Sequence, residues 1–121
     1  MNNYKPRVVR VETLKDAEEA IKGIGSDPQS IDIMAPKTIT KIVKFENVMM
    51  QDAIIIKQDM LSVGGEVAIP KDAFEVKSKT ASILVIGTIK QMFDLIEKLN
   101  RHYPRIQSFA ESLTTVMHQT I

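Results

Sequence analysis

A chain of 121 residues with 44% hydrophobic and 26% charged residues has the size and composition of one folded domain, so we expect residues 1–121 to form a single domain. The net charge of +1 and the aromatic content of 5% argue against a nucleic-acid-binding surface. Without cysteine there is no disulfide or thiolate zinc site, and His102 and His118 lack paired-ligand spacing, so we expect no metal and no cofactor. The polar segment Met1–Arg10 does not resemble a signal peptide and no apolar run reaches the length of a membrane span, which favours a cytoplasmic protein without a membrane partner.

The N-terminal part of the chain predicts a short strand and two helices. Val8–Val11 is rich in β-branched residues and predicts a strand. Thr13 and Asp16 have the spacing of a capping box, so a first helix should begin there. Ser26-Asp27-Pro28 predicts the start of a second, short helix, which should end near Pro36 because the residue before a proline disfavours the helical conformation.

The rest of the chain predicts a small sheet packed with helices. Predicted strands lie at Thr38–Phe45, Val67–Ile69, Phe74–Val76 and Ala81–Ile86. The last of these contains the continuous apolar run Ile83–Ile86, which is typical of a strand covered on both faces. Helical spacing of apolar residues predicts helices from Ile89 and over Arg105–Met117. The predicted fold class is therefore α/β (α+β), with a small mixed β-sheet of about four strands in a single domain.

A central helix, predicted over Met49–Val63, carries a lysine in the middle of its apolar face. At about 100° per residue, that face contains Met49, Met50, Ala53, Ile54, Ile56, Met60, Leu61 and Val63. The opposite, polar face contains Gln51, Asp52, Gln58, Asp59 and Ser62. Burying an ammonium group without a partner is costly, so Lys57 either extends along the apolar surface to water or meets an anion in a pocket. We expect it to be largely covered and to contact a carboxylate, a backbone carbonyl or a bound anion.

Glycines beside two helix ends provide the other candidate site residues. Gly64-Gly65 predicts a left-handed helix end with at least one positive φ, and it can also bring the backbone close to a ligand. Glu66 can pair with Lys57 or remain in solvent. Gly87-Thr88 lies where a strand turns into a helix; Thr88 fits a capping box, and free amides at a helix start can also hold an anion. The ligand-binding candidates are Lys57, Gln58, Gly64, Gly65, Glu66, Gly87 and Thr88. No complete catalytic constellation is present.

Several segments of the chain resemble a known family. Lys57–Ala68, with its Lys-Gln and Gly-Gly motifs, and Ile83–Gln91, with its Gly-Thr motif, are similar to the domain that precedes the catalytic barrel in some dihydropteroate synthases. The resemblance continues at Leu95–Leu99, whereas the segment His102–Arg105 departs from the turn usual in that family. It implies a dihydropteroate synthase-related protein linked to folate and pterin metabolism. None of the pterin-binding or catalytic segments of the barrel is present, so their residues and activity do not transfer to this chain.

Three functions remain open. The first is an accessory or ligand-binding domain of folate metabolism, non-catalytic alone, which acts with a separate synthase barrel protein or a small anionic ligand. The second is a small enzyme in which Lys57 acts as base or nucleophile on a phosphorylated or pterin-like substrate. The third is a structural dimerisation module in which Lys57 and the apolar residues around it meet a second copy, so a homo-oligomer is possible.

Overall fold

The structure is a computed structural model that describes residues 3–73, 75 and 79–121. These residues form five α-helices, one 3₁₀ helix and three strands. In order, the elements are α1 (Leu14–Lys22), α2 (Pro28–Met34), a 3₁₀ helix (Ala35–Lys37), β1 (Thr40–Met49), α3 (Met50–Ser62), β2 (Glu66–Ala68), β3 (Thr80–Thr88), α4 (Ile89–Leu99) and α5 (Pro104–Thr120). The predicted α/β class in a single small domain is confirmed.

Local side-chain caps set the starts of three helices. At α1, Thr13 Oγ1 accepts a hydrogen bond from the backbone N–H of Asp16, and the Asp16 carboxylate accepts one from the N–H of Thr13. At α4, Thr88 and Gln91 form the same reciprocal pair. Asp27 caps α2 just before its N-terminal proline. These predictions are confirmed because each cap depends on residues only a few positions apart.

The sheet has the order β1-β3-β2, with both pairings antiparallel. The described residues therefore contain three strands instead of about four. The register of β1 against β3 shifts between Phe45 and Val48, which marks a β-bulge. Asn47 lies in this bulge with φ of 58°, a left-handed conformation that asparagine tolerates better than most residues. The bulge redirects the end of β1 before α3 begins.

The two faces of the sheet differ in burial. Val67, Ile83 and Val85 point into the core and are buried, whereas Ile42 and Leu84 on the opposite face are 65% and 37% exposed. The expectation that Ile83–Ile86 is covered on both faces is therefore wrong. The strand belongs to an antiparallel sheet, and such sheets commonly leave one face in solvent.

Three helices supply most of the remaining core. The fully or almost fully buried side chains are Met50, Ala53, Ile56 and Met60 of α3; Ile89, Met92, Leu95, Ile96 and Leu99 of α4; and Ile106, Ala110, Leu113 and Met117 of α5. The amphipathic patterns of α3, α4 and α5 thus predict helices that the structure contains, with ends shifted by a few residues. Within the described segments, none of the helices combines the length and the apolar composition that crossing a membrane requires.

The first predicted strand is wrong. Val8–Val11 has no regular secondary structure, and Val8 is 97% exposed. β-branched residues favour a strand only where a sheet edge accepts them, and this segment has no such pairing. Of the predicted strand Phe74–Val76, Phe74 and Val76 lie outside the described residues.

The helix end at Gly64 has a measurable conformational cost. Gly64 has φ of 94°, which confirms that one glycine of the pair is left-handed. Gly64→Ala should therefore lower the free energy of unfolding by about 1 kcal/mol, measured by urea denaturation. Gly23→Ala is the matched control because Gly23 ends α1 with φ of −62°, where alanine is unstrained. Equal unfolding midpoints for Gly64→Ala and the parent would contradict this account.

Candidate functional site

Lys57 lies at the surface of the domain beside β2, a surface called the rim below. It donates one hydrogen bond to a side chain of β2 and one to a backbone carbonyl of β2. Its Nζ is 2.8 Å from Glu66 Oε1 and 2.6 Å from the carbonyl oxygen of Val67. The Lys57 side chain is 30% exposed and that of Glu66 53% exposed. The prediction that Lys57 contacts a carboxylate or a backbone carbonyl is confirmed. Since both acceptors belong to β2, the lysine ties α3 to this edge strand.

The charge state of Glu66 follows from its donors. The hydrogen bond from Lys57, and after it the backbone N–H of Val67 at 2.8 Å, hold the pKa of Glu66 below its ordinary value. Glu66 is therefore ionised at neutral pH, and the Lys57–Glu66 pair presents a charged, partly exposed surface to solvent.

Gly65 and Gly87 make room for a core side chain. A methyl group on Gly65 would lie 2.8 Å from Met60 Sδ and 2.9 Å from the carbonyl oxygen of Ile86. A methyl group on Gly87 would meet the end of the same methionine and lie 3.1 Å from Gln91 Oε1. Met60 is 0% exposed, so it occupies the space that both glycines leave free. Close packing of α3, β2 and β3 accounts for these two glycines.

Gln91 brings together three of the predicted site residues. Its Oε1 accepts from the backbone N–H of Thr88 at 2.9 Å, and it lies against Gly64 and Gly87. Gln58 is exposed on α3 and makes no side-chain hydrogen bond within the described residues. The structure thus forms two groups from the candidates: a surface pair, Lys57 and Glu66, and a packed cluster around Gln91 and Met60. Ligand binding by any of the seven residues stays a prediction.

A buried carboxylate on the same helix was missed by sequence reasoning. Asp52, assigned to the polar face of α3, is only 5% exposed. Its carboxylate accepts hydrogen bonds from Arg105 Nε at 2.5 Å, from Arg105 Nη2 at 2.8 Å and from the hydroxyl of Tyr103. The arginine contact is bidentate, the geometry that fixes a guanidinium most firmly. Tyr103 and Arg105 connect the start of α5 to α3 through this carboxylate.

The contacts among Asp52, Tyr103 and Arg105 shift the pKa of each of these groups. Burial alone would raise the pKa of Asp52, but the hydrogen bonds from Arg105 and Tyr103 outweigh burial and lower that pKa. Burial and the neighbouring Asp52 raise the pKa of Tyr103. The bond to Asp52 raises the pKa of Arg105 further above its high ordinary value. At neutral pH the cluster is an ion pair with a neutral phenol, so none of its members is poised for proton transfer.

An open hollow of 250 Å³ lies beside this ion pair, between the bulged end of β1 and one face of α5. Phe45 and Phe109 form its apolar wall, with ring centroids 4.2 Å apart. Its polar lining consists of Glu46, Asn47, Asp52, Arg105, Ser108 and Ser112. None of the seven predicted site residues lines it.

The α5 side of this hollow corresponds to a spacing pattern in the sequence. Arg105, Ser108 and Ser112 have helical spacing and therefore share one face of α5. What the spacing does not reveal is that this face meets Asp52, 53 positions away along the chain. Such a long-range ion pair depends on how α3 and α5 pack.

The other polar clusters are weaker candidates for a functional site. Within the part of the chain that the structure describes, no three potential ligand side chains converge on a position that suits a metal ion. His102 Nε2 lies 2.8 Å from Asp59 Oδ2, which links the turn before α5 to α3. This pair therefore has a structural role in the packing of α3.

Comparison with known proteins relates the chain to a curated bifunctional enzyme. Over 96 residues it is 26% identical to a bifunctional dihydropteroate synthase/dihydropteroate reductase of Helicobacter pylori. The match covers 79% of this chain and 25% of that protein, so the chain spans about a quarter of the length of the curated relative. No family model and no solved structure matches the chain. The match supports a distant relationship to dihydropteroate synthase-related proteins.

Proposed function

We propose that this chain is an accessory domain of folate metabolism, non-catalytic alone, that binds a pteridine and acts with a separate dihydropteroate synthase barrel. The similarity to the bifunctional synthase/reductase carries the proposal, because it extends over 79% of this chain but only 25% of that enzyme. The resemblance of Lys57–Ala68 and Ile83–Gln91 to the domain ahead of the synthase barrel supports the same assignment. Both observations favour a role beside the barrel.

The rim of the domain supports an accessory role more than a lysine-dependent reaction. Lys57 donates to Glu66 and to the Val67 carbonyl. Both acceptors engage the Lys57 amino group, whereas a lysine that acts as base or nucleophile needs that group free to reach a substrate. The charged pair, with the exposed Gln58 beside Lys57 in the sequence, instead offers a polar surface to a barrel protein or a small anion.

The contacts around Lys57 also weaken the dimerisation alternative. Ile56 and Met60, neighbours of Lys57 on α3, are 0% exposed within one copy. These two apolar side chains are therefore already covered by the chain's own β2 and α4, whereas Leu61 of the same face is 48% exposed. Size-exclusion chromatography with light scattering tests this alternative. A stable dimer of the parent that Lys57→Met dissociates would support it.

A second candidate follows from the two activities of the relative. The name of that enzyme combines a synthase and a reductase activity. Lys57–Ala68 and Ile83–Gln91 of this chain resemble the domain ahead of the synthase barrel, and a domain outside the barrel would serve the reductase activity. Reduction of dihydropteroate needs a hydride donor such as reduced nicotinamide or reduced flavin. Loss of dihydropteroate absorbance with either donor, above the rate of the heat-denatured chain, would favour this candidate over a non-catalytic domain.

Two binding measurements test the accessory proposal. Isothermal titration calorimetry of the purified chain with 7,8-dihydropteroate should show saturable binding. Size-exclusion chromatography with a synthase barrel of the same organism should show co-elution. Absence of either interaction would contradict the proposal.

Replacing Lys57 with methionine tests the rim as the contact surface. Lys57→Met keeps the length of the side chain and removes its charge, so the thermal unfolding midpoint should stay close to that of the parent because exposed ion pairs contribute little. Affinity for the barrel should fall about tenfold, as expected for the loss of one charge-assisted contact. Lys90→Met removes the comparable surface pair with Asp94 and is the control. Equal affinity of both variants for the barrel would exclude Lys57 from the contact.

A further inference from the structure

The hollow beside Asp52 contains a guanidinium that is fixed in place but only partly used. Asp52 holds Arg105 through Nε and Nη2, and within the described residues no protein acceptor bonds to Nη1. The Arg105 side chain is 49% exposed and lines the hollow. Two N–H groups at a defined position therefore face the hollow or the solvent at its mouth. A donor pair that is already oriented binds an acceptor with little further loss of side-chain entropy.

The same hollow also contains a hydrogen-bond acceptor without a protein partner among the described residues. Glu46 lines the same hollow from the bulged end of β1, is exposed and makes no side-chain hydrogen bond within the described residues. Asn47 follows it with φ of 58°, so the backbone adopts a conformation that most residues avoid. β-bulges often redirect side chains next to binding sites. Here the bulge coincides with the hollow.

The balance of charge limits the kind of ligand. A simple anion would meet the carboxylates of Glu46 and Asp52, and a simple cation would meet Arg105, so neither is well matched. The Phe45–Phe109 wall favours a flat ring, since ligand sites combine an apolar wall with a few convergent polar groups. A neutral heterocycle with donors and an acceptor along one edge satisfies all these groups at once. Ser108 and Ser112 add two hydroxyls along the adjacent wall.

We infer that this hollow binds the 2-amino-4-oxopyrimidine edge of a pteridine. The two N–H groups of that edge would donate to Glu46, and its carbonyl oxygen would accept from Arg105. The ring would lie against Phe45 and Phe109. The choice of a pteridine over other heterocycles with this edge rests on the proposed function, whereas the location rests on the hollow itself. Guanine carries the same edge and is therefore the competing ligand.

Calorimetric titration with pterin locates the site through two variants. Ser108→Phe fills the hollow, and Glu46→Gln removes the carboxylate; each should weaken pterin binding about tenfold or more. Glu111→Phe and Glu111→Gln are matched controls because Glu111 is exposed on α5 and does not line the hollow. Thermal melts followed by circular dichroism establish that all four variants fold. Guanosine is titrated into the parent in parallel.

The outcomes separate this inference from the proposed function. Weakened binding in both hollow variants, with the controls like the parent, supports the site. Pterin binding that Ser108→Phe and Glu46→Gln leave unchanged overturns the site while the accessory proposal stands. Absence of pterin and dihydropteroate binding to the parent overturns both. Guanosine binding as tight as pterin binding overturns the assignment to a pteridine.

Discussion

Shortening Met60 to alanine is expected to lower the free energy of unfolding by about 3 kcal/mol. Met60 is 0% exposed and fills the space that Gly65 and Gly87 leave at the contact of α3, β2 and β3. Alanine would remove buried apolar atoms and leave a cavity that the backbone around the two glycines is poorly placed to close. Chemical denaturation followed by circular dichroism measures the loss.

Leu61 is the matched control for Met60. It neighbours Met60 on α3 but is 48% exposed, so Leu61→Ala should cost less than about 1 kcal/mol. Gly65→Ala should also destabilise the fold, because the new methyl group would lie 2.9 Å from the Ile86 carbonyl oxygen as well as against Met60. The double variant Met60→Ala/Gly65→Ala should be less unstable than the sum of the single changes. Equal costs for Met60→Ala and Leu61→Ala would contradict this packing account.

Replacing Asp52 with asparagine should lower the free energy of unfolding at neutral pH by about 2 kcal/mol. The change keeps the shape of the side chain but removes the charge that Arg105 and Tyr103 stabilise. Because the folded-state pKa of Asp52 is below its unfolded value, the contribution of the ionised carboxylate is fully present above about pH 4 and is lost as pH falls through the folded-state pKa. The stability of the parent should therefore fall more steeply than that of Asp52→Asn on going to about pH 3.

Asp94→Asn is the control for this pH dependence. Asp94 also pairs with a basic residue, Lys90, but on the surface of α4, where such pairs contribute little. Urea titrations at several pH values should give this variant the acid sensitivity of the parent. If Asp52→Asn shows that same sensitivity, the buried ion pair is not what makes the fold acid-labile.

The sequence predicted the elements whose causes are local. The capping boxes at Thr13 and Thr88, the proline start of α2 and the glycine end of α3 each depend on residues within one turn, so their patterns were sufficient. The contact of Lys57 with an acceptor was also predictable, since an ammonium amid apolar residues requires one. The ion pairs of Lys57 and Asp52 join α3 to β2 and to α5.

Tertiary structure decided what depends on long-range pairing. Val8–Val11 has a strand pattern but no sheet edge, and Leu84 has the pattern of a buried strand but lies on the open face of an antiparallel sheet. Asp52 appeared to be a surface residue until the packing of α5 placed Arg105 and Tyr103 over it. A hydrophobic pattern records which side of an element is apolar, not which distant residue will cover its polar side. The sequence alone therefore determined the α/β class and the helix ends, whereas the fold determined the hollow between β1 and α5.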